Sequence, residues 1–316
     1  MLACETISLA IAVGIGLLIA RIGLQWAGVI VDSPGTLMTL GDLRIAPVGV
    51  AVIGFVVASI LLVRGFKGAL LLGILASVSV AWAVGLTQFD GVASAPPSIA
   101  PTLLELDIAG AFRPEMTAVI FVFFFLALFD SVGTLVGVAE QAGLMRNGSL
   151  PRARGALMAD AVGTVVGAGL GTSTVTAYIE STTGVSAGGR TGLANVVTSV
   201  LFLVALFFSP LVGMVAGGYQ VDDGLTLYPV IAPALIVVGT LMMKGVRLIP
   251  WDDPTEAIPA FLTIIIMPLT VSITDGIAFG FMAFVLLKVA AWRWREVHWL
   301  VYLFAVLLLL RYVALT

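Results

Sequence analysis

Ten apolar runs of fifteen residues or more, set between short polar or Gly/Pro-rich breaks, dominate this chain: 7–26, 47–63, 69–86, 116–138, 156–170, 191–213, 230–247, 258–273, 275–291 and 299–315. A hydrocarbon layer of about 30 Å is crossed by roughly 20 helical residues, so these runs read as membrane spans. Each run is continuously apolar rather than alternating, which predicts helices and excludes barrel strands. Only 10% of the residues are charged, against about 25% in a soluble domain. A surface facing water cannot be built from so few, and a water-soluble enzyme is excluded. The fold class is all-α and polytopic. Cys4 has no second cysteine to pair with. Cys4 and His298 together fall short of the three or four ligands of a zinc site, so neither a metal nor another cofactor is expected. Basic residues lie in short loops and form no patch suited to nucleic acid.

The loops also fix an orientation. Arg64, Lys67, Arg146, Arg152, Arg154, Arg190, Lys244, Arg247, Lys288, Arg293 and Arg295 fall on one side if the stretch 171–190 is counted as an eleventh crossing. Arg44, Arg113 and Arg311 fall on the other, and Arg21 lies inside the first span. By the positive-inside rule the first group marks the cytoplasm, which also receives the amino terminus. Met1 to Ser8 lacks the basic start of a signal peptide. The longest connection, 87–115, is rich in proline, reads as an ordered loop outside, and is the best internal boundary.

Polar residues at membrane depth point to a site. Asp130 stands about fourteen residues into its span, roughly 20 Å along it, and an ionisable group at that depth is a site candidate by default. Gly133, Thr134 and Gly137 share its helix face, which must therefore pack against protein or a cavity. The alternative is an Asp hydrogen-bonded across a helix contact. The octapeptide Asp130-Ser-Val-Gly-Thr-Leu-Val-Gly137 recurs as Asp160-Ala-Val-Gly-Thr-Val-Val-Gly167. Asp160 is expected to be a carboxylate near a helix start, stabilised by the helix dipole and by Arg152 and Arg154.

The most unusual stretch is GTSTVTAYIESTTGVSAGGRTG, 171–192, where a span should be Leu, Ile and Phe. Thr172, Thr174, Thr176 and Tyr178 alternate with Ser173, Val175, Ala177 and Ile179, which suits extended chain. Irregular backbone is tolerated at this depth only where it lines a cavity or is buried in protein. A short strand leading into a half-helix that begins near Glu180 is predicted, the arrangement that places substrate at mid-membrane in secondary transporters. Glu180 could alternatively serve only as a helix cap.

Four stretches, FDSVGTLVGVAEQAG (129–143), LPRARGALMADAVGT (150–164), GTSTVTAYIESTTGVSAGGRTGL (171–193) and WDDPTEAIPAFLTIIIMP (251–268), resemble the AzgA-type purine permeases of the nucleobase-ascorbate transporter (xanthine/uracil permease) superfamily. The resemblance covers nearly the whole chain. It implies a fold of fourteen segments in two inverted repeats of seven, divided between core and gate domains. It also implies import of adenine, guanine or hypoxanthine with protons across the cytoplasmic membrane. On that pattern Glu180 and Asp130 hold the base, with Tyr178, Ile179 and Thr176 beside it contributing largely backbone groups, and Asp130 carries the coupling proton. Residues 1–86 and 230–316 fall to the gate domain, 116–213 to the second half of the core, and 87–115 to the loop between them. The chain is expected to start at the family's fifth segment, lacking the first four, and to be inactive alone. Its partners would be the base, protons and the lipid bilayer, with a homodimer left open.

Three other readings compete. An anion permease of the same fold is disfavoured by two acids at the site. An intramembrane aspartyl protease lacks the paired Y-D and G-x-G-D motifs. A non-transporting membrane remnant is the third.

Overall fold

The computed structural model describes residues 2–314 other than 67, 88, 90, 97, 147–149, 179, 223–224 and 298, and for some helical residues, Asp130 among them, the backbone alone. The order is α1 (Leu2–Trp26), β1 (Ile30–Ser33), β2 (Leu37–Leu40), α2 (Ala46–Val63), α3 (Ala69–Ala83), α4 (Ile108–Ala111), α5 (Pro114–Gln141), α6 (Ala153–Leu170), α7 (Ser181–Ser186), α8 (Gly192–Ala205), α9 (Ser209–Ala216), β3 (Tyr219–Asp222), β4 (Leu225–Leu227), α10 (Ala232–Met242), α11 (Pro254–Thr270), α12 (Ile273–Ala290) and α13 (Trp299–Ala314). Among the described residues four stretches are long and apolar enough to cross a membrane: Thr6–Trp26, Ala46–Val63, Gly192–Ala216 and Ile273–Ala290. Shorter apolar helices lie at Ala69–Ala83, Ser131–Glu140 and Pro254–Thr270.

Helix ends extend past the apolar runs where the chemistry of the first turn allows it. Pro47, Pro114 and Pro254 stand in the first turns of α2, α5 and α11, where a missing N–H costs nothing. Two antiparallel hairpins, β1–β2 with Ile30 opposite Leu40 and β3–β4 with Tyr219 opposite Leu227, were not expected from the sequence. Each strand is only three or four residues long, too short to show alternation above its surroundings.

The chain forms two compact units. The first comprises Met1–Leu18, Ser98–Ser186 and Met242–Thr316. Its core joins Leu9, Ala10 and Val13 of α1 to Ile249 and to Ala260 and Ile264 of α11. Small residues set the spacing there: a Cβ on Gly14 would stand 2.6 Å from Met267 Sδ, and one on Gly276 2.2 Å from Met267 Cγ. The second unit comprises Ile19–Pro97 and Ala187–Leu241. In it α2 and α3 touch at Gly54 and Ser77, and the rings of Trp26 and Tyr228 meet at 4.8 Å.

Candidate functional site

Helix α6 ends on a glycine stop. Gly171 adopts φ +80°, its N–H bonds Ala168 O at 3.0 Å, and Thr172 N–H bonds Gly167 O at 2.9 Å. This pair of bonds is a Schellman closure, which requires the left-handed residue that glycine supplies without strain. Beyond it, residues 172–178 are neither helix nor paired strand. A non-helical break here and a helix beginning next to Glu180 agree with the chain path, since α7 starts at Ser181, whereas the expected short strand is not formed among the described residues. No ladder forms here, because among the described residues no second extended segment pairs with it.

What holds the break is the face of α6 carrying the second octapeptide. Thr164 Oγ1 donates to Val175 O at 2.9 Å. Val175 also fills the space where a side chain at position 167 would stand, its Cγ2 lying 2.5 Å from a Cβ built on Gly167, and comes into ordinary contact with position 163 at 3.5 Å. Gly163, Thr164 and Gly167 thus form a shallow bed for the irregular strand. The first octapeptide uses its equivalent residues for helix packing: Thr134 is buried, and Gly133 faces Ile11 and Ile15 of α1.

Glu180 is exposed at the foot of α7, where its carbonyl accepts from Thr183 N–H at 3.0 Å and Thr183 Oγ1 at 2.8 Å. Tyr178 is exposed and Thr176 half-buried. Thr182 is fully buried and its hydroxyl makes no hydrogen bond among the described residues. Helix α7 packs against α5, which carries Asp130 in its backbone. The Asp130 side chain and Ile179 lie outside the described residues. Asp160 has a partner that its spacing did not reveal. Ser131 Oγ, one residue from Asp130, donates to Asp160 Oδ2 at 2.6 Å. Since α6 begins at Ala153, Asp160 lies about two turns inside the helix, beyond the first turn where the dipole acts.

With this geometry in place, the comparisons decide the family. Residues 4–279 match the sequence profile of the Permease family, of the xanthine/uracil type. The chain belongs to that family. The resemblance drawn from its motifs is borne out. The permease is 50% identical over 307 residues to "Putative permease MJ0326" of Methanocaldococcus jannaschii, which covers 96% of this chain and 68% of the relative. It is 44% identical over 307 residues to "Adenine permease AdeQ" of Escherichia coli, covering 97% and 67%. It is 42% identical over 301 residues to "Guanine/hypoxanthine permease PbuO" of Bacillus subtilis, covering 94% and 68%. The chain therefore spans about two thirds of the length of these relatives.

A second polar cluster in the permease was missed from sequence. Lys288, fully buried in the last turn of α12, lies 2.7 Å from Glu256 Oε1 and 3.0 Å from Glu296 Oε2. Arg293 bonds Glu296 at 2.8 Å and Asp253 at 2.7 Å, and Asp253 caps α11 by accepting from Thr255 N–H. The Arg293 guanidinium, with the Thr255 hydroxyl, holds the Asp253 carboxyl at about 2, below its ordinary 3.8. Arg293 and then Lys288 do the same to Glu296, from 4.5 to about 2. The available signal was the Asp253-x-x-Glu256 spacing of a helix start, followed by a lysine inside an apolar helix.

Proposed function

We propose that this permease is a secondary transporter that imports a purine nucleobase, adenine, guanine or hypoxanthine, with protons. The observation that carries the reading is the break at 171–180 ahead of α7, in a chain whose relatives are named adenine and guanine/hypoxanthine permeases. A purine is flat and presents N–H donors that a carboxylate accepts in pairs, while irregular backbone offers N–H and C=O groups for its remaining edge. Glu180 is the carboxylate assigned to hold the base, with Tyr178, Ile179 and Thr176 beside it. Asp130, on the helix that packs against α7, is assigned the coupling proton.

The same reading places the permease in the cytoplasmic membrane with the amino terminus inside. It assigns residues 1–86 and 230–316 to a gate domain and 116–213 to a core domain, within an inverted-repeat architecture. Uptake of radiolabelled hypoxanthine and adenine from pH 5 to 8, with binding measured on the same membranes, tests it. Concentrative, pH-dependent uptake that fails in Glu180→Gln and Asp130→Asn is expected. Unchanged affinity in Glu180→Gln removes that carboxylate from the site, and concentrative uptake by Asp130→Asn removes it from coupling.

A further inference from the structure

Four carbonyls at the end of a helix have no partner within it, and where they find one shows what the helix end rests on. At the end of α6, Gly167 O and Ala168 O are taken by Thr172 and Gly171. The other two are met from far along the chain: Leu104 N–H donates to Gly169 O at 2.8 Å, and Thr102 Oγ1 lies 3.2 Å from Leu170 O and equally 3.2 Å from Ile99 O, so its one proton is shared between the two carbonyls. Thr102 is also pressed against Gly171, where a Cβ would stand 2.4 Å from Thr102 Cβ and 2.5 Å from Thr102 O. The segment is itself held in shape. Thr102 and Leu103 N–H both bond Ile99 O at 3.0 Å, and Leu104 adopts φ +60°. It then runs into α4, which Asp107 caps through Gly110 N–H at 2.7 Å and which packs against α5.

We propose that residues 98–107 are a strap that sets the position of the purine site, with Thr102 as its positioning residue. This rests on the transport reading above. One end of the strap leads into α5, the helix of Asp130. Its middle grips the last turn of α6, from which the chain continues as 172–178 to Glu180. The strap therefore fixes the spacing between the two acid-bearing segments from outside the site, without touching the base.

Thr102→Val keeps the side-chain shape and removes the hydroxyl, whereas Thr102→Ser keeps the hydroxyl. In full-length protein in membranes, Thr102→Val should raise the KM for hypoxanthine about fivefold, the order set by one lost hydrogen bond. Maximal velocity per transporter should stay within about twofold, and Thr102→Ser should restore the wild-type KM. Gly171→Ala, with a left-handed φ and no room for a methyl group, should show the larger KM defect. A wild-type KM in Thr102→Val overturns the proposal. So does a fall in velocity at unchanged KM, which is what a merely structural residue gives. Hydrogen exchange supplies a readout independent of transport: the Leu104 amide should be protected in wild type and exchange faster in Thr102→Val without any base present. If wild type moves no purine while that protection pattern holds, the strap stands and the purine reading falls. An unprotected Leu104 amide in wild type removes the strap.

Discussion

Within one compact unit the permease uses charge in two opposite ways. Around Lys288 every ionised group meets an opposite charge: Glu256 and Glu296 on the lysine, Glu296 and Asp253 on Arg293. Around Glu180 the carboxylate is exposed, Tyr178 is exposed beside it, and the buried Thr182 hydroxyl has no partner among the described residues. Breaking a buried ion pair is costly because it strands the partner charge, and here one Glu256 oxygen, Oε2, is itself buried with no hydrogen-bond partner among the described residues. An open carboxylate beside irregular backbone contributes little to stability and retains its hydrogen-bonding capacity for something else. The first arrangement joins α11, α12 and the turn after α12; the second leaves the Glu180 carboxylate open to solvent.

The contrast breaks most visibly if Lys288 is removed. Lys288→Met should lower stability by about 3–5 kcal/mol, because Glu256 is left buried and unpaired. Thermal unfolding in detergent measures it. Combining Lys288→Met with Glu256→Leu should recover most of the loss, since an apolar pair replaces a buried ion pair at little cost. A single variant with wild-type unfolding would show that the network is not closed. On the open side the signs reverse. Glu180→Gln should leave the unfolding temperature unchanged while weakening purine binding by about 2 kcal/mol, or roughly thirtyfold, at every pH. Loss of stability without loss of affinity would place Glu180 with the structural charges. Ser131→Ala tests a case between the two: removing one donor from Asp160 should cost about 1.5 kcal/mol of stability, and a larger effect on uptake than on unfolding would move Asp160 into the transport machinery.

How much of this could be read in advance depended on range along the chain. Apolar runs announce helices because a single residue window carries the signal, and 116–138 and 47–63 lie within or almost within the helices found. The break after Leu170 was legible for the same reason: Thr172, Thr174 and Thr176 alternate with Ser173, Val175 and Ala177 where Leu belongs. What the break rests on was not legible. Val175 settling on Gly163 and Gly167, and Thr102 reaching Leu170, join segments that local periodicity cannot relate. The octapeptide repeat pointed to small faces on both helices, yet not that one bed would take helix packing and the other an irregular strand. Lys288 escaped for a related reason, since Glu256 lies on a different helix and Glu296 beyond the end of its own. The cationic count in that loop served to orient the chain and hid the carboxylates that neutralise it.

The smallest expected effect sharpens the comparison by its pH dependence. Asp253 and Glu296 titrate at about 2 in the folded protein because Arg293 favours their charged forms, against ordinary values of 3.8 and 4.5. A carboxyl whose folded pKa is depressed contributes stability above its ordinary pKa and loses it as pH falls through the folded value. Wild type should therefore hold a constant advantage over Arg293→Gln from pH 8 to about 5, and that advantage should shrink between about pH 4 and pH 2. Both carboxylates are substantially open to solvent, so the advantage should be a few degrees at most and should narrow further in high salt. Unfolding temperatures of the two proteins, read across that pH range at low and high ionic strength, check it. A gap that stays constant down to pH 2 would mean that Arg293 acts through its aliphatic stem and packing. The closed network would then owe its stability to Lys288 and Glu256 alone, with the outer ion pairs mere surface contacts.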